Sequence, residues 1–305
     1  MNCSAYPQSV TRKVLEAIDH GIAGSSILSK CNNVSLRVID VGIVDGPVKW
    51  PGNIVRSANR RIKGGTKNFC KGNAISEKEV KMCIDLGRDE TNKMIDELEE
   101  ADVIMFGEVG IGNTTTASAL IAALTGVNVA SVCGSGASTT RDGINDETVA
   151  RKIAIIEEAL KFHRESLAAG NPIKALSAVG GAEICAIVGG MLESSKRDVA
   201  ILVDGFIVTA AAMIACMIDP MVCRLLLFAT TSTEKGQMIA IEYILEIAKT
   251  ISIPVPAKPA LDMGLRLGEA SGSITSTPLL RSACSIFGLA TLNDVLDLGV
   301  GSKSS

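Results

Sequence analysis

The chain of 305 residues is 47% hydrophobic and 21% charged, with a formal net charge of −3. That length and apolar fraction suit one large α/β domain, alone or with a small appendage, and exclude a disordered chain. The near-neutral charge leaves no basic stripe, so nucleic acid and acidic membrane surfaces are excluded as expected partners, and small molecules or proteins remain.

At the front, MNCSAYPQSV lacks the charged start and apolar stretch of a signal peptide. Short β-branched and aliphatic runs then recur and read as buried parallel strands: Leu36 to Asp40, Val103 to Gly107, Val129 to Cys133, Val199 to Val203 and Leu225 to Ala229. Helical periodicity fills stretches between them, at Ser76 to Leu86, Thr114 to Leu124, Glu147 to Phe162 and Glu183 to Ser194. Ser76 and Glu79 form an S-x-x-E capping box, and Asn145-Asp146 precedes the helix that holds Arg151 and Lys152.

Strand and helix in alternation predict right-handed crossovers and an α/β fold with a doubly wound, mostly parallel sheet, Rossmann-like and three-layered, with a small helical appendage. The most apolar region, Phe206 to Ala229, is broken by Asp219-Pro220 and Arg224, so no run reaches the ~18 residues of a membrane helix. The expected location is therefore the cytoplasm. The segment IPVPAKPALD, Ile253 to Asp262, reads as an irregular connection, and the tail GSKSS is expected to fray.

The nine cysteines are scattered and never spaced as C-x-x-C, which argues against a disulfide framework or zinc knuckle. Most read as small core hydrophobes in a reducing compartment. With His20 and His163 the only histidines, neither a metal site nor a histidine triad is expected.

Chemistry concentrates at the predicted strand ends. The strand at Val103 runs into GEVGIGNTTTASAL, Gly107 to Leu120, where glycines permit a tight turn and the first helical N–H groups face an anion. The threonines are placed to cap that helix and to bond a phosphate. No Lys follows as in a Walker A loop, and the spacing is not G-x-G-x-x-G, so two readings stand: a phosphate cradle, or glycines that pack a strand against a helix. Glu108 favours a ligand, because a carboxylate in a phosphate loop repels its anion unless it has a separate task, such as holding a ribose hydroxyl or a cationic ring.

Glu269, between Gly268 and the small residues Ala270, Ser271 and Gly272, is the second candidate. It reads either as a solvated loop carboxylate or as a general base that a ligand can partly desolvate. VDGFIV, Val203 to Val208, and TTSTEKG, Thr230 to Gly236, are further strand ends. Carboxyl ends of strands are where open α/β sheets place ligands, so one crevice could gather all four segments.

Taken together, SAYPQSVT, RVIDVG, GGTKNF, GEVGIGNTTTASAL, ETVARK, AVGGAEI, VDGFI and LDMGLRLGEASG resemble, in order and over nearly the whole chain, the nicotinate-nucleotide:dimethylbenzimidazole phosphoribosyltransferase family. The resemblance implies a glycosyltransferase of the pentosyl class that moves ribose 5-phosphate from nicotinate mononucleotide to the lower-ligand base of a cobamide. It implies no cofactor and no metal. It puts the catalytic acid on Glu269, which takes a proton from the attacking base, a contribution typically of about 10² to 10⁴ in rate. It puts the phosphate near Gly110, Gly112, Asn113, Gly205 and Ser232, with Glu108 and Lys152 as auxiliary polar groups, and the flat base against Gln8, Val109 and Leu267.

The same resemblance implies one phosphoribosyltransferase domain over residues 1–305. Its large α/β part covers about residues 4–260, and residues 261–305 carry the acid and pack with the small helical region. A homodimer, or a heterodimer with a paralogue, is expected. The family pattern departs at the front, where an N-terminal arm and edge strand normally precede the SAYPQ segment. Gln237 stands where a His is usual, GSGAST replaces a motif that usually holds an Arg, and the IPVPAKPALD connection is longer than usual. The alternatives are a phenol-type base and a non-catalytic subunit of a heteromeric member.

Overall fold

The computed structural model describes residues 7–44, 46, 55–57, 61–99, 101–134, 139–140, 143–144 and 146–297. The readings of the N-terminal MNCSAY, of most of GSGAST, of Asn145 as a helix-start residue and of the GSKSS tail lie outside these residues.

The front forms α1 (Val10–Asp19), α2 (Gly24–Cys31) and β1 (Val38–Asp40), and β1 pairs in parallel with β2 (Val55–Ser57). There follow α3 (Glu77–Glu97), β3 (Val103–Met105), α4 (Asn113–Thr125) and a short α5 (Val129–Val132). The short strands β4 (Thr139–Thr140) and β5 (Gly143–Ile144) pair antiparallel and lead into α6 (Asp146–Phe162), α7 (Arg164–Leu167), α8 (Pro172–Val179) and α9 (Ala182–Lys196). Then come β6 (Ala200–Val203), α10 (Phe206–Ile218), a 3₁₀ turn at Pro220–Leu225, β7 (Leu226–Phe228) and β8 (Thr230–Ser232). The chain closes with α11 (Gly236–Thr250), β9 (Leu261–Leu265), α12 (Ser271–Ile286) and α13 (Leu292–Asp297).

The expected parallel ladder is present, with Ile104 opposite Ile201 and Leu202 opposite Leu227 in the order β3-β6-β7. Across Ala229 the last strand continues into β8, which pairs in parallel with β9. The Ala229 N–H donates to the Val203 carbonyl at 2.8 Å, and the Leu261 N–H to the Ala229 carbonyl at 3.0 Å, so the two ladders meet at this residue. Parallel neighbours need long crossovers, and helices fill them. The result is a mixed α/β fold of the three-layer kind.

Local signals explain most boundaries. The capping box at α3 is formed, with the Ser76 N–H on the Glu79 carboxylate at 2.8 Å and the Glu79 N–H on Ser76 Oγ at 3.3 Å. That helix runs on to Glu97, well past Leu86, because Gly87 serves its packing: a Cβ there would stand 1.8 Å from the Ala186 carbonyl of α9. In α10, Phe206 to Cys216 are all buried, wrapped by α4, α9 and α11, which is why the segment is apolar all round. Among the described residues no helix is long and apolar enough to cross a membrane.

One expected strand is a helix. Val129 to Cys133 carries α5 because the Asn128 side chain accepts the Ala130 N–H at 2.8 Å and starts a helical turn, while Ser118 Oγ ties down the Val132 carbonyl at 3.0 Å. A short apolar run bounded by Asn does not distinguish these states by periodicity. IPVPAKPALD is irregular through Ala260, and its last two residues begin β9, whose centre is exposed.

Of the eight described cysteines, Cys83, Cys133, Cys185, Cys216 and Cys223 are buried. Burial pushes the Cys83 thiol up to about 12, aided by the charges of Glu183 and Glu79.

Candidate active site

Two segments far apart in sequence lie against each other at the carboxyl end of β3. The chain leaves β3 through Gly107, and a Cβ on that residue would stand 2.4 Å from the Ala270 nitrogen and 2.6 Å from the Glu269 carbonyl carbon. The Glu269 N–H donates to the Glu108 carbonyl at 3.3 Å. Gly268, Glu269 and Ala270 have φ of 74°, 59° and 59°, three successive left-handed residues of which two carry side chains. Such backbone persists where the surroundings over-determine it. Here the Ser271 N–H closes the turn on the Gly268 carbonyl at 2.9 Å, and α12 follows at once.

The same junction receives the other two strand ends. Asp204, buried at the end of β6, accepts the Ser273 N–H at 2.9 Å. A Cβ on Gly272 would stand 2.9 Å from the Asp204 carboxylate and 2.3 Å from the Thr230 methyl. All four strand-end segments singled out in the sequence thus converge on the start of α12.

A cavity of about 640 Å³ opens beside this junction. Of the residues expected at the site, it is lined by Gln8, Glu108, Val109, Gly110, Gly112, Asn113 and Glu269, and Thr11, Ser25 and Glu183 join them. Thr11 Oγ1 accepts the Ile111 N–H at 3.3 Å, which fixes α1, and Gln8 just before it, against the glycine loop. Glu269 is half-buried, and its Oε2 accepts both the N–H and the hydroxyl of Ser25, at 3.2 and 2.9 Å.

Gly205, Ser232, Lys152 and Leu267 are not among the lining residues of this cavity. Lys152, buried, extends its ammonium to Thr114 Oγ1 at 3.1 Å and to the Gly134 carbonyl at 3.2 Å, beside the first turn of α4. Ser232 donates its N–H to Gln237 Oε1 at 2.6 Å and accepts the Glu234 N–H on its hydroxyl at 3.2 Å. Gly205 precedes α10 with open space around it, and Leu267 is exposed, its side chain lying over Gly24.

The expected threonine cap is not formed. Gly112, in the left-handed region, is the N-cap of α4, and its carbonyl receives the Thr115 and Thr116 N–H groups. Thr114 instead meets Lys152.

The electrostatics answer the objection that Glu108 would repel a phosphate. Desolvation pushes its carboxyl well above the usual range, and the nearby charges of Asp204, Glu183 and Glu269 push the same way. The Asn113 amide donates to it. Desolvation also raises Glu183, and it raises Asp204 to about 6 against the opposing N–H groups of Ser273, Gly272 and Gly205. Of the lining carboxyls, Glu108 and Glu183 are thereby biased toward the neutral form, which donates as well as accepts.

Sequence reasoning passed over Ser25, Glu183 as an individual residue, and the work of Gln237. Ser25 has no sequence signal beyond lying in a small-residue helix start, GSS. Gln237 is fully buried and donates to the Thr230 carbonyl at 2.9 Å and Thr209 Oγ1 at 3.4 Å while accepting from Ser232. It is the brace of the β8 loop.

The fold and the site together define a phosphoribosyltransferase of the three-layer α/β kind. A family model described as Phosphoribosyltransferase matches residues 1–295. Among curated relatives, the nicotinate-nucleotide-dimethylbenzimidazole phosphoribosyltransferase of Pseudomonas putida strain KT2440 is 37% identical over 285 residues, which are 93% of this chain and 74% of the relative. The enzyme of the same name from Janthinobacterium sp. strain Marseille is 33% identical, covering 92% and 74%. Among solved structures, CobT from Thermus thermophilus superposes with a TM-score of 0.79 at 31% identity, covering 96% of this chain and 80% of that one. The chain belongs to the nicotinate-nucleotide-dimethylbenzimidazole phosphoribosyltransferase family.

Proposed function

We propose that the chain transfers ribose 5-phosphate from nicotinate mononucleotide to dimethylbenzimidazole or a related aromatic base, releasing nicotinate, with Glu269 as general base. The observation that carries this reading is the junction of Glu269 with the Gly107 to Asn113 loop at the mouth of one cavity. A ring nitrogen of the base attacks C1′ with its lone pair as the bond from C1′ to the pyridinium nitrogen breaks. Nicotinate leaves with that electron pair and needs no acid. The proton lost by the alkylated ring passes to Glu269.

The same reading gives the α4 loop, with Gly110, Gly112 and Asn113, to the nucleotide. Gly205 and Ser232 border it from the strand ends, and Lys152 reaches from α6 to the first turn of α4. Gln8 and Val109 form the walls for the flat base, with Leu267 at the rim. Glu108, biased toward its neutral form, faces the ligand as a hydrogen-bonding group rather than as an anion.

The protein acts in the cytoplasm as one catalytic domain and associates through an apolar surface. Phe287, Leu289, Leu292 and Leu296 are strongly exposed at the end of α12 and in and before α13, and they support a dimer. Light scattering at micromolar concentration tests this, and a monodisperse monomer contradicts it.

For the activity, purified protein is incubated with nicotinate mononucleotide and a panel of benzimidazoles, purines and phenols, and free nicotinate is followed by chromatography. Release with at least one base is expected. No release with any base leaves the non-catalytic reading. Glu269→Gln is expected to lose about 10² to 10⁴ in turnover.

A further inference from the structure

We propose that Ser25 is a positioning residue for Glu269: its main-chain N–H and its hydroxyl clamp one carboxylate oxygen, which leaves the other turned to the incoming base. The inference rests on Glu269 being the general base. Among the described residues both hydrogen bonds to the Glu269 carboxylate come from Ser25 and both fall on Oε2. One oxygen is thereby fixed, and the carboxylate plane has a set direction.

The need for such a clamp follows from the backbone. Glu269 is a long, half-buried side chain on a turn, and a glutamate left to itself samples many rotamers. A proton acceptor works only when held within hydrogen-bond reach of its donor, and small misplacements cost large factors in rate. Two donors from one residue onto one charged oxygen supply that restraint.

The clamp is itself well anchored. Ser25 is 2% exposed and is the second residue of α2, where a helical N–H has no intrahelical acceptor and is available to an outside group. At the opposite end of α2, the Arg281 guanidinium of α12 donates to the carbonyls of Asn32 and Asn33 at 2.7 and 3.2 Å. The helix is thus tied to the Glu269-α12 unit at both ends. Gly24 allows the close approach, since a Cβ there would stand 2.6 Å from Leu267. Ser26, in the same turn, bonds back to the Ala23 carbonyl at 2.9 Å and takes no part.

The test is steady-state nicotinate release from nicotinate mononucleotide and dimethylbenzimidazole. Ser25→Ala is expected to lower kcat about 10-fold while the KM of each substrate stays within about 2-fold. Ser25→Thr and Ser25→Val have nearly the same shape and differ in the hydroxyl, so Thr is expected to exceed Val in kcat by about 10-fold, a comparison that holds even if Ala perturbs the fold. Ser26→Ala is expected to match the parent. In a Glu269→Gln background, Ser25→Ala is expected to add no further loss to the residual rate. Parental kcat in Ser25→Val beside a crippled Glu269→Gln overturns this inference alone, as does an undiminished loss in the Gln background. Full turnover by Glu269→Gln overturns the general-base assignment and this inference with it.

Discussion

The main-chain N–H of Glu269 reaches the carbonyl of Glu108 across 3.3 Å, so the acid-bearing turn and the glycine loop form one rigid piece. Gly107 makes that contact possible. Gly107→Ala drives a Cβ to 2.4 Å from the Ala270 nitrogen, a backbone atom that cannot swing aside. The expected outcome is a loss of about 1 to 3 kcal/mol in stability from overpacking and at least a 10-fold fall in kcat as Glu269 is displaced. Urea unfolding and nicotinate release measure the two separately, and a variant with parental values in both removes this account of the junction.

Asp204 gives the protein a pH dependence of known sign. Its carboxyl titrates near 3.8 when unfolded and is raised to about 6 by desolvation in the fold. A raised acid binds its proton more tightly in the native state, so its contribution is complete below the unfolded value and is lost as pH rises through about 6. The difference amounts to about 3 kcal/mol. Asp204→Asn keeps an oxygen for the Ser273 N–H and removes the titration. Between pH 4.5 and 7.5 the parent's urea-derived stability is expected to fall by about 2 kcal/mol more than that of the variant, because at pH 4.5 part of the full difference is already lost. Glu183 acts in the same direction in both proteins and cancels in the comparison, whereas Asp204→Asn also removes a charge that helps raise Glu108, which changes the profile in the same sense. Parallel pH profiles count against the argument.

Gln237 braces the β8 loop with three hydrogen bonds from a fully buried position. Gln237→Leu leaves the Ser232 N–H and the Thr230 carbonyl without their partner. An unsatisfied buried polar group costs about 1 to 3 kcal/mol, and two are exposed to that cost here. A destabilisation of about 2 to 4 kcal/mol is expected, with a rise in the KM for nicotinate mononucleotide as Ser232 loosens. A thermal shift of a degree or less, by calorimetry, contradicts it.

The sequence discloses this site unevenly, for physical reasons. Glycines, a carboxylate among small residues and aliphatic runs ending in Asp-Gly are local signals, and they marked the loop at Gly107, Glu269 and Asp204-Gly205. The β3, β6 and β7 strands follow from their aliphatic runs, and α3, α4, α6 and α9 from helical periodicity. The Val129 to Cys133 run defeats periodicity because one Asn side chain decides its state. Ser25 is invisible for a different reason: its partner Glu269 lies at the far end of the chain, and only the docking of α2 on α12 brings them together. The front of the glycine loop shows a mixed case, since the threonines that read as caps are displaced by Gly112 once the backbone there turns left-handed.

Gly205 separates a ligand contact from a structural role more cleanly than the other glycines. Its φ of −116° is open to any residue, and a Cβ there meets nothing within 4 Å, so Gly205→Ala is expected to leave stability within about 0.5 kcal/mol of the parent. If the phosphate of nicotinate mononucleotide approaches the strand end at this residue, the same methyl group intrudes on it. The KM for the nucleotide is then expected to rise about 10-fold with kcat nearly unchanged, the signature of binding lost equally from ground and transition states. Initial rates at saturating base and varied nucleotide decide the point. An unchanged KM moves the phosphate away from Gly205 and onto the α4 loop alone, where Gly110 and Asn113 line the cavity.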